Sequence, residues 1–192
     1  MSWFDGDVPM TFRHLTAPQF TESVPELVDL YIAAMKYPPA IREQRIAVWR
    51  RDATSPGFVA VTAYKNDTLV GIAYGFKGTR DRWWDLQLRR GLFQRQAMTP
   101  AMITVIRNYF EVAEIHVAPD LQCKGTGRKL MHMLLEQTTE PYALLSTPEV
   151  PGENNAAFGL YRSLGFLDVL RHFTYAGDSR PFAILGRKLP LT

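Results

Sequence analysis

Apolar and polar positions follow two periods along this chain. Thr11 to Leu15 reads as a short first strand. Val24, Leu27, Val28, Tyr31 and Met35 then recur at helical spacing, so one face of that segment is apolar. Ser23-Val24-Pro25-Glu26 has the form of a capping box with proline in the first turn, which predicts a helix starting there. Pro38-Pro39 ends it. A second helix is expected over Ile41 to Arg51, burying Ile41, Ile46 and Trp49, and Ser55-Pro56-Gly57 breaks it.

The pattern next shifts toward strands. Phe58 to Tyr64 and Thr68 to Phe76 flank Lys65-Asn66-Asp67, a connection suited to an antiparallel hairpin. Residues 77–108 read as irregular or partly helical, with Thr99-Pro100 resembling an N-cap followed by proline. A strand from Glu111 to Val117 leads into a glycine loop. A helix follows, carrying Leu130, Met131, Leu134 and Leu135 on one face. Tyr142 to Ser146 is a short apolar strand. Asn154 to Leu164 is a helix stopped by Gly165, and Phe166 to Tyr175 and Phe182 to Leu189 are strands. Helices interleaved with mostly antiparallel strands around one strand–loop–helix–strand unit predict an α+β fold, a mixed sheet flanked by helices.

Composition narrows the class. A chain of 192 residues, 46% hydrophobic and 21% charged, is expected to form one globular domain over 1–192. Its single cysteine excludes an internal disulfide framework and a cysteine-rich zinc site, so no metal is expected and a reducing cytoplasm is the simplest compartment. Residues 1–7 lack a basic segment followed by an apolar one, and no apolar run approaches the ~20 residues that span a bilayer. A net charge of +3 suits an anionic small ligand. Without a basic stripe or known motif, neither nucleic acid nor membrane is an expected partner. Arg80, Arg82, Arg89, Arg90 and Arg95, interrupted by Asp81 and Asp85, read as a solvated helix face, with a ligand or partner surface as the alternative.

The candidate chemistry sits in Val117-Ala118-Pro119-Asp120-Leu121-Gln122-Cys123-Lys124-Gly125-Thr126-Gly127-Arg128-Lys129-Leu130. A strand, a glycine loop and a helix start in this order leave free N–H groups converging at the positive end of a helix dipole, which favours an anion. Gly125 and Gly127 let the backbone approach a phosphate closely. The loop lacks the Gly-x-x-x-x-Gly-Lys-Ser/Thr of a P-loop. It is also a poor dinucleotide-binding fingerprint, because Leu130 stands where the third glycine belongs. The plain alternative is a tight turn with no ligand.

The flanks decide between these. Gln122-x-x-Gly125-x-Gly127, preceded by Val117-x-Pro119 and followed by Arg128, resembles the signature of the GNAT superfamily of N-acetyltransferases. Asn154-x-x-Ala157-x-x-x-Tyr161-x-x-x-Gly165-Phe166 resembles the second motif of that family, in order and at the expected distance. The resemblance covers most of the chain and departs from the family at about 77–108, an insertion where the third and fourth strands are commonly joined more directly. It implies that the backbone of Gln122, Cys123, Lys124, Gly125, Thr126, Gly127 and Arg128 holds the pyrophosphate of acetyl-CoA. It also implies that the backbone of Ile115 and Val117, on the fourth strand, meets the rest of the cosubstrate. Lys129 either reaches a distal phosphate or is solvated. Asn154 either bonds the coenzyme arm or caps its helix.

Amine acetylation needs a group to take the amine proton, polarisation of the thioester carbonyl, and a donor for the departing thiolate. Strand alternation puts Glu114 and His116 on one face and Glu111 on the other, unless a bulge alters the parity. Glu114 is the first candidate for the base, Glu111 the next, and His116 or a water chain the alternatives. Tyr161 matches the family tyrosine that faces the sulfur; an apolar stripe of Ala157, Leu160 and Leu164 around it also allows a purely core role. Direct transfer needs no acyl-enzyme, so Cys123 is not a nucleophile, but modifying it is expected to block the loop. Trp83-Trp84 either form an acceptor wall or pack the insertion onto the domain or a second subunit. Residues 148–153 lie near the expected mouth. The resemblance implies transfer from acetyl-CoA to a primary amine (small molecule, peptide terminus or lysine) in a ternary complex, with homodimerisation plausible. A non-catalytic acyl-CoA sensor is the rival.

Overall fold

The computed structural model describes residues 9–191. Its strands are β1 (Thr11–Leu15), β2 (Val59–Lys65), β3 (Thr68–Lys77), β4 (Tyr109–Val117), β5 (Tyr142–Pro148), β6 (Leu167–Phe173) and β7 (Phe182–Lys188). Its helices are α1 (Ala17–Met35), α2 (Arg42–Asp52), α3 (Trp83–Gln94), α4 (Pro100–Val105), α5 (Thr126–Leu135) and α6 (Ala156–Ser163). All seven strands form one sheet in the order β1-β2-β3-β4-β5-β7-β6, antiparallel except for β4 against β5. This is the mixed, mostly antiparallel α+β sheet that the sequence predicts.

Each sheet face is covered by helices that bury an apolar stripe. On one face, Leu130, Met131, Leu134 and Leu135 of α5 and Phe158 and Tyr161 of α6 pack against Val112, Val117, Ala143 and Leu145. On the other, Phe20, Val24, Leu27, Val28 and Tyr31 of α1 and Ile46 and Trp49 of α2 pack against Ile72, Tyr74 and Phe76. Further along that second face, α3 and the end of α4 close over Tyr109, Leu144 and Ile184 through Leu88, Leu92 and Ile106.

Helix α1 starts earlier than the Ser23 capping box predicts. The box is built by Thr16 and Gln19: the Thr16 hydroxyl accepts from the Gln19 amide, and the Gln19 side chain accepts from the Thr16 amide. Pro25 therefore lies inside the helix, where it supplies no N–H to the preceding turn. Phe20 and Val24, both fully buried, anchor the turns around it, so tertiary packing overrides the local break. The β2–β3 turn places Asn66 and Asp67 both at positive φ, the two-residue geometry that matches strand twist. Thr99 does cap α4 through the Met102 amide.

Candidate active site

A slot opens in the middle of the sheet. β4 and β5 pair only through Tyr109, Phe110 and Glu111 with Tyr142, Ala143 and Leu144. Beyond Glu111 each strand follows its outer neighbour, β4 along β3 to Val117 and β5 along β7 to Pro148. The edges of residues 112–117 and 145–148 are thus left facing one another across a wedge. The Ala118 amide donates to Val70 on β3. Backbone alternation then turns the amides of Val117 and Ile115 toward the wedge.

The simple alternation argument fails at Glu111. In the β3–β4 ladder Tyr74 opposes Glu114 and Gly75 opposes Val112, so Ala113 is an extra residue in β4. This bulge restores Glu111 to the face that carries Glu114 and His116. All three oppose alternate residues of β3, namely Phe76, Tyr74 and Ile72, within the core face of α1 and α2.

The three polar groups have different surroundings. Glu114 is half-buried, and its carboxylate lies 2.6 Å from His116 Nε2. The His116 ring packs edge-on against Tyr31 at 4.8 Å, and Arg45 lies over the same Tyr31 ring. Glu111 is only 8% exposed, and burial pushes its carboxyl up to about 8, opposed by Arg82 and reinforced by Asp52, Asp85 and Glu114. On the opposite face of the sheet, Tyr161 is buried against Phe166. Burial first, and then the negative charge of Glu114, push its phenol above the ordinary tyrosine range.

The glycine loop follows β4 directly. Pro119–Leu121 make a 3-10 turn, and the Gln122 side-chain amide donates to the Val117 carbonyl at 3.1 Å, bracing the loop on the strand. Cys123 is exposed with φ 61°, and Gly125, at φ 87°, is the residue preceding α5. Gly125, as the N-cap of α5, has no side chain to cap the first turn, and no acidic residue stands in that turn. Its amides are therefore available to an anion. At Gly127 an added Cβ would stand 3.1 Å from Leu160, so glycine there permits the close approach of α5 to α6. Thr126 is buried, whereas Lys124, Arg128 and Lys129 are exposed, and Arg128 donates to the Ser163 hydroxyl.

Asn154 does not cap α6. That bond is made by Asn155, whose side chain accepts from the Phe158 amide at 2.8 Å, while Asn154 is exposed one residue upstream. The helix starts two residues later than expected because Pro151–Glu153 form their own 3-10 turn.

The arginine-rich segment between β3 and β4 is a solvated face only in part: Arg80, Asp81 and Arg95 are exposed, whereas Arg82, Arg89 and Arg90 are partly buried. Asp85 is buried, bonded by Arg89 and by the Tyr109 hydroxyl at 2.9 Å. Arg82 reaches Asp52 at 2.8 Å and Ser55 at 2.7 Å. Trp84 donates to the Tyr175 hydroxyl, which in turn donates to Ser146 on β5, so Trp84 packs this segment onto the sheet. Trp83 leans on Tyr175 and stays largely exposed. Sequence reasoning missed Asp52 and Ser55 because nothing local distinguishes them, and treated Arg82 as surface because its partners lie 27 and 30 residues away.

Comparison with known proteins agrees with this fold. The model of the acetyltransferase (GNAT) family matches residues 24–166, and the chain belongs to that family. It is 36% identical over 188 residues to a GCN5-like protein acetyltransferase of Mycobacterium tuberculosis, covering 86% of this chain and 91% of the relative. It is 29% identical over 158 residues to the N-alpha-acetyltransferase RimI of the same organism, covering 82% and 78%. Among solved structures, yncA of Salmonella typhimurium, with its cofactor acetyl-CoA, superposes with a TM-score of 0.62 at 18% identity over 94% of each chain. The ribosomal-protein-S18-alanine N-acetyltransferase of Escherichia coli gives 0.60 at 17% identity, covering 96% and 95%. No helix among the described residues is long and apolar enough to cross a membrane.

Proposed function

We propose that this protein transfers the acetyl group of acetyl-CoA directly to a primary amine of a protein, a lysine side chain or a chain terminus. The observation that carries this reading is the β4–β5 wedge, with Glu114 and His116 on one face of the sheet, Tyr161 on the other, and uncapped α5 amides at its mouth. The names of the relatives, a protein acetyltransferase and an N-alpha-acetyltransferase, support a protein acceptor over a free metabolite. A reducing cytoplasm suits the exposed thiol of Cys123.

In this reading the loop amides from Gln122 to Arg128 take the pyrophosphate, and the amides of Ile115 and Val117 hold the cosubstrate along the wedge. Acetyl-CoA brings an activated thioester to that line. A lysine-like amine is protonated below about pH 10.4 and must lose a proton before it can attack. Glu114 receives that proton, and His116, in contact with it, offers the next position. Glu111, deeper at the apex, is a second carboxyl able to hold a proton near neutral pH. Tyr161 keeps its phenolic proton at neutral pH and donates it toward the departing thiolate.

The test is acetyl-CoA-dependent thiol release over a panel of lysine-containing and free-amino-terminus peptides. Release with at least one peptide, lost in Glu114→Gln while acetyl-CoA still raises the melting temperature, is expected. Acetyl-CoA binding without release or acetylated product from any peptide or bulk protein acceptor would turn the reading toward a coenzyme sensor.

A further inference from the structure

The segment joining β3 to β4 sends one cation into the buried side of the active-site strand. Arg82, the residue preceding α3, is held on three sides. One terminal nitrogen bonds Asp52 at 2.8 Å, another bonds Ser55 at 2.7 Å, and the guanidinium lies over the Phe76 ring at 3.7 Å. Its remaining Nε lies 3.8 Å from Glu111 Oε2. Among the described residues, neither of these two atoms has a hydrogen-bond partner, and both are buried. Asp52 is itself shared with the Tyr74 hydroxyl at 3.0 Å. The guanidinium is thus divided between a carboxylate that it bonds and a carboxyl that it only approaches.

Glu111 faces charged or titratable groups from every element around it: Arg82 and Asp85 from α3 and its cap, Asp52 from α2, Glu114 and Tyr109 from β4, Tyr74 from β3, and Tyr175 from the β6–β7 loop. Arg82 is the cation closest to it. Glu111 is also the last β4 residue paired with β5, at the apex of the wedge and on the face of Glu114.

We propose that Arg82 is a positioning residue that sets the ionisation of Glu111, with Asp52 competing for the same guanidinium, so that the β3–β4 segment governs the charge at the apex of the wedge. The catalytic consequence rests on the acetyl-transfer reading; the link between Arg82 and Glu111 does not. If Arg82 holds Glu111 toward its charged form, removing that cation favours the proton. Removing the charge of Asp52 frees Arg82 for Glu111 and withdraws a nearby anion, so it favours the carboxylate. The two substitutions therefore act in opposite directions.

The experiment is an NMR titration of the intact protein with glutamate side-chain carboxyls labelled with carbon-13, Glu111 being assigned by its loss in Glu111→Gln. It requires no turnover. Arg82→Gln should raise the Glu111 midpoint by about one pH unit or more, and Asp52→Asn should lower it by a comparable amount. A midpoint unmoved in both variants, or moved in the same direction by both, overturns the proposal, even if both are less stable. Should Arg82→Gln not fold alone, it is made in the Asp52→Asn background, where the bonded pair is removed together: a midpoint raised relative to Asp52→Asn supports the link, and an unmoved or lowered one overturns it. Failure of the acetyl-transfer reading is seen separately, as absent thiol release in a wild type whose Glu111 still responds to Asp52→Asn.

Discussion

The two faces of the sheet meet at the wedge but are built differently. The α5–α6 face is apolar below and backbone-polar above: Leu130, Met131, Leu134 and Phe158 are fully buried, and the polar groups it offers to the proposed cosubstrate are amides at a helix start. The face under α1, α2 and α3 holds ionisable groups inside, with Asp52, Asp85 and Glu111 buried against Arg82 and Arg89. The first kind of site depends on backbone shape and tolerates side-chain change at most positions other than glycine. The second depends on particular side chains with few replacements, because removing one member of a buried charged set leaves another uncompensated.

The largest effect that tests this contrast is at the loop. Gly125→Asp with Gly127→Asp places two negative charges on the loop proposed to hold the pyrophosphate, and the second side chain meets Leu160. Acetyl-CoA at ~100 times its dissociation constant should stabilise the wild type by roughly 2.7 kcal/mol, and a folded double mutant should lose that gain in a thermal melt. A retained gain would place the cosubstrate elsewhere. Next, Glu114→Gln should lower kcat with a responsive peptide by ~10²–10⁴-fold, the range for losing a general base. Tyr161→Phe should cost less, about 10- to 100-fold, with the acetyl-CoA melt unchanged. An unaltered rate would assign Tyr161 to the core alone.

Glu111 carries the comparison into stability. Its carboxyl is raised from the ordinary 4.5 to about 8, chiefly by burial. Between those values the folded protein holds a proton that the unfolded chain has released, so stability falls as pH rises through the window and is lowest above it. Glu111→Gln removes this dependence. Its stability relative to wild type should improve by roughly 1.4 kcal/mol for each pH unit climbed within the window, to a few kcal/mol in all. Denaturant unfolding of both proteins across the window checks this; parallel curves would show that Glu111 is ionised in the folded state.

The same contrast explains what could be read from the residues. The glycine loop, the hairpin at Asn66-Asp67 and the cap at Thr99 are local, so their chemistry is contained within a few consecutive positions. The placement of Glu114 on β4 was legible from the strand pattern, and that of Tyr161 on α6 from its motif. The face of Glu111 was not, because a single extra residue at Ala113 reverses parity, and no side chain near the bulge marks it. The Asp52–Arg82–Glu111 set was not legible either. Its members come from three separate elements, and a charge in sequence reads as surface until its partner is known.

Asn154 and Asn155 give the smallest effect and test how far a motif can be carried to one residue. Both precede α6, both are exposed, and helix-capping chemistry suits either. Only Asn155 makes the bond to the Phe158 amide. Asn155→Ala should therefore cost about 1 kcal/mol of stability, whereas Asn154→Ala should cost little. If Asn154 instead meets the coenzyme arm, its loss will appear only in the acetyl-CoA dissociation constant. Separate stability and binding measurements on the two alanine variants divide the roles. An equal loss of stability from both would mean that the cap shifts between neighbours, and that the asparagine of the second motif serves the helix rather than the ligand.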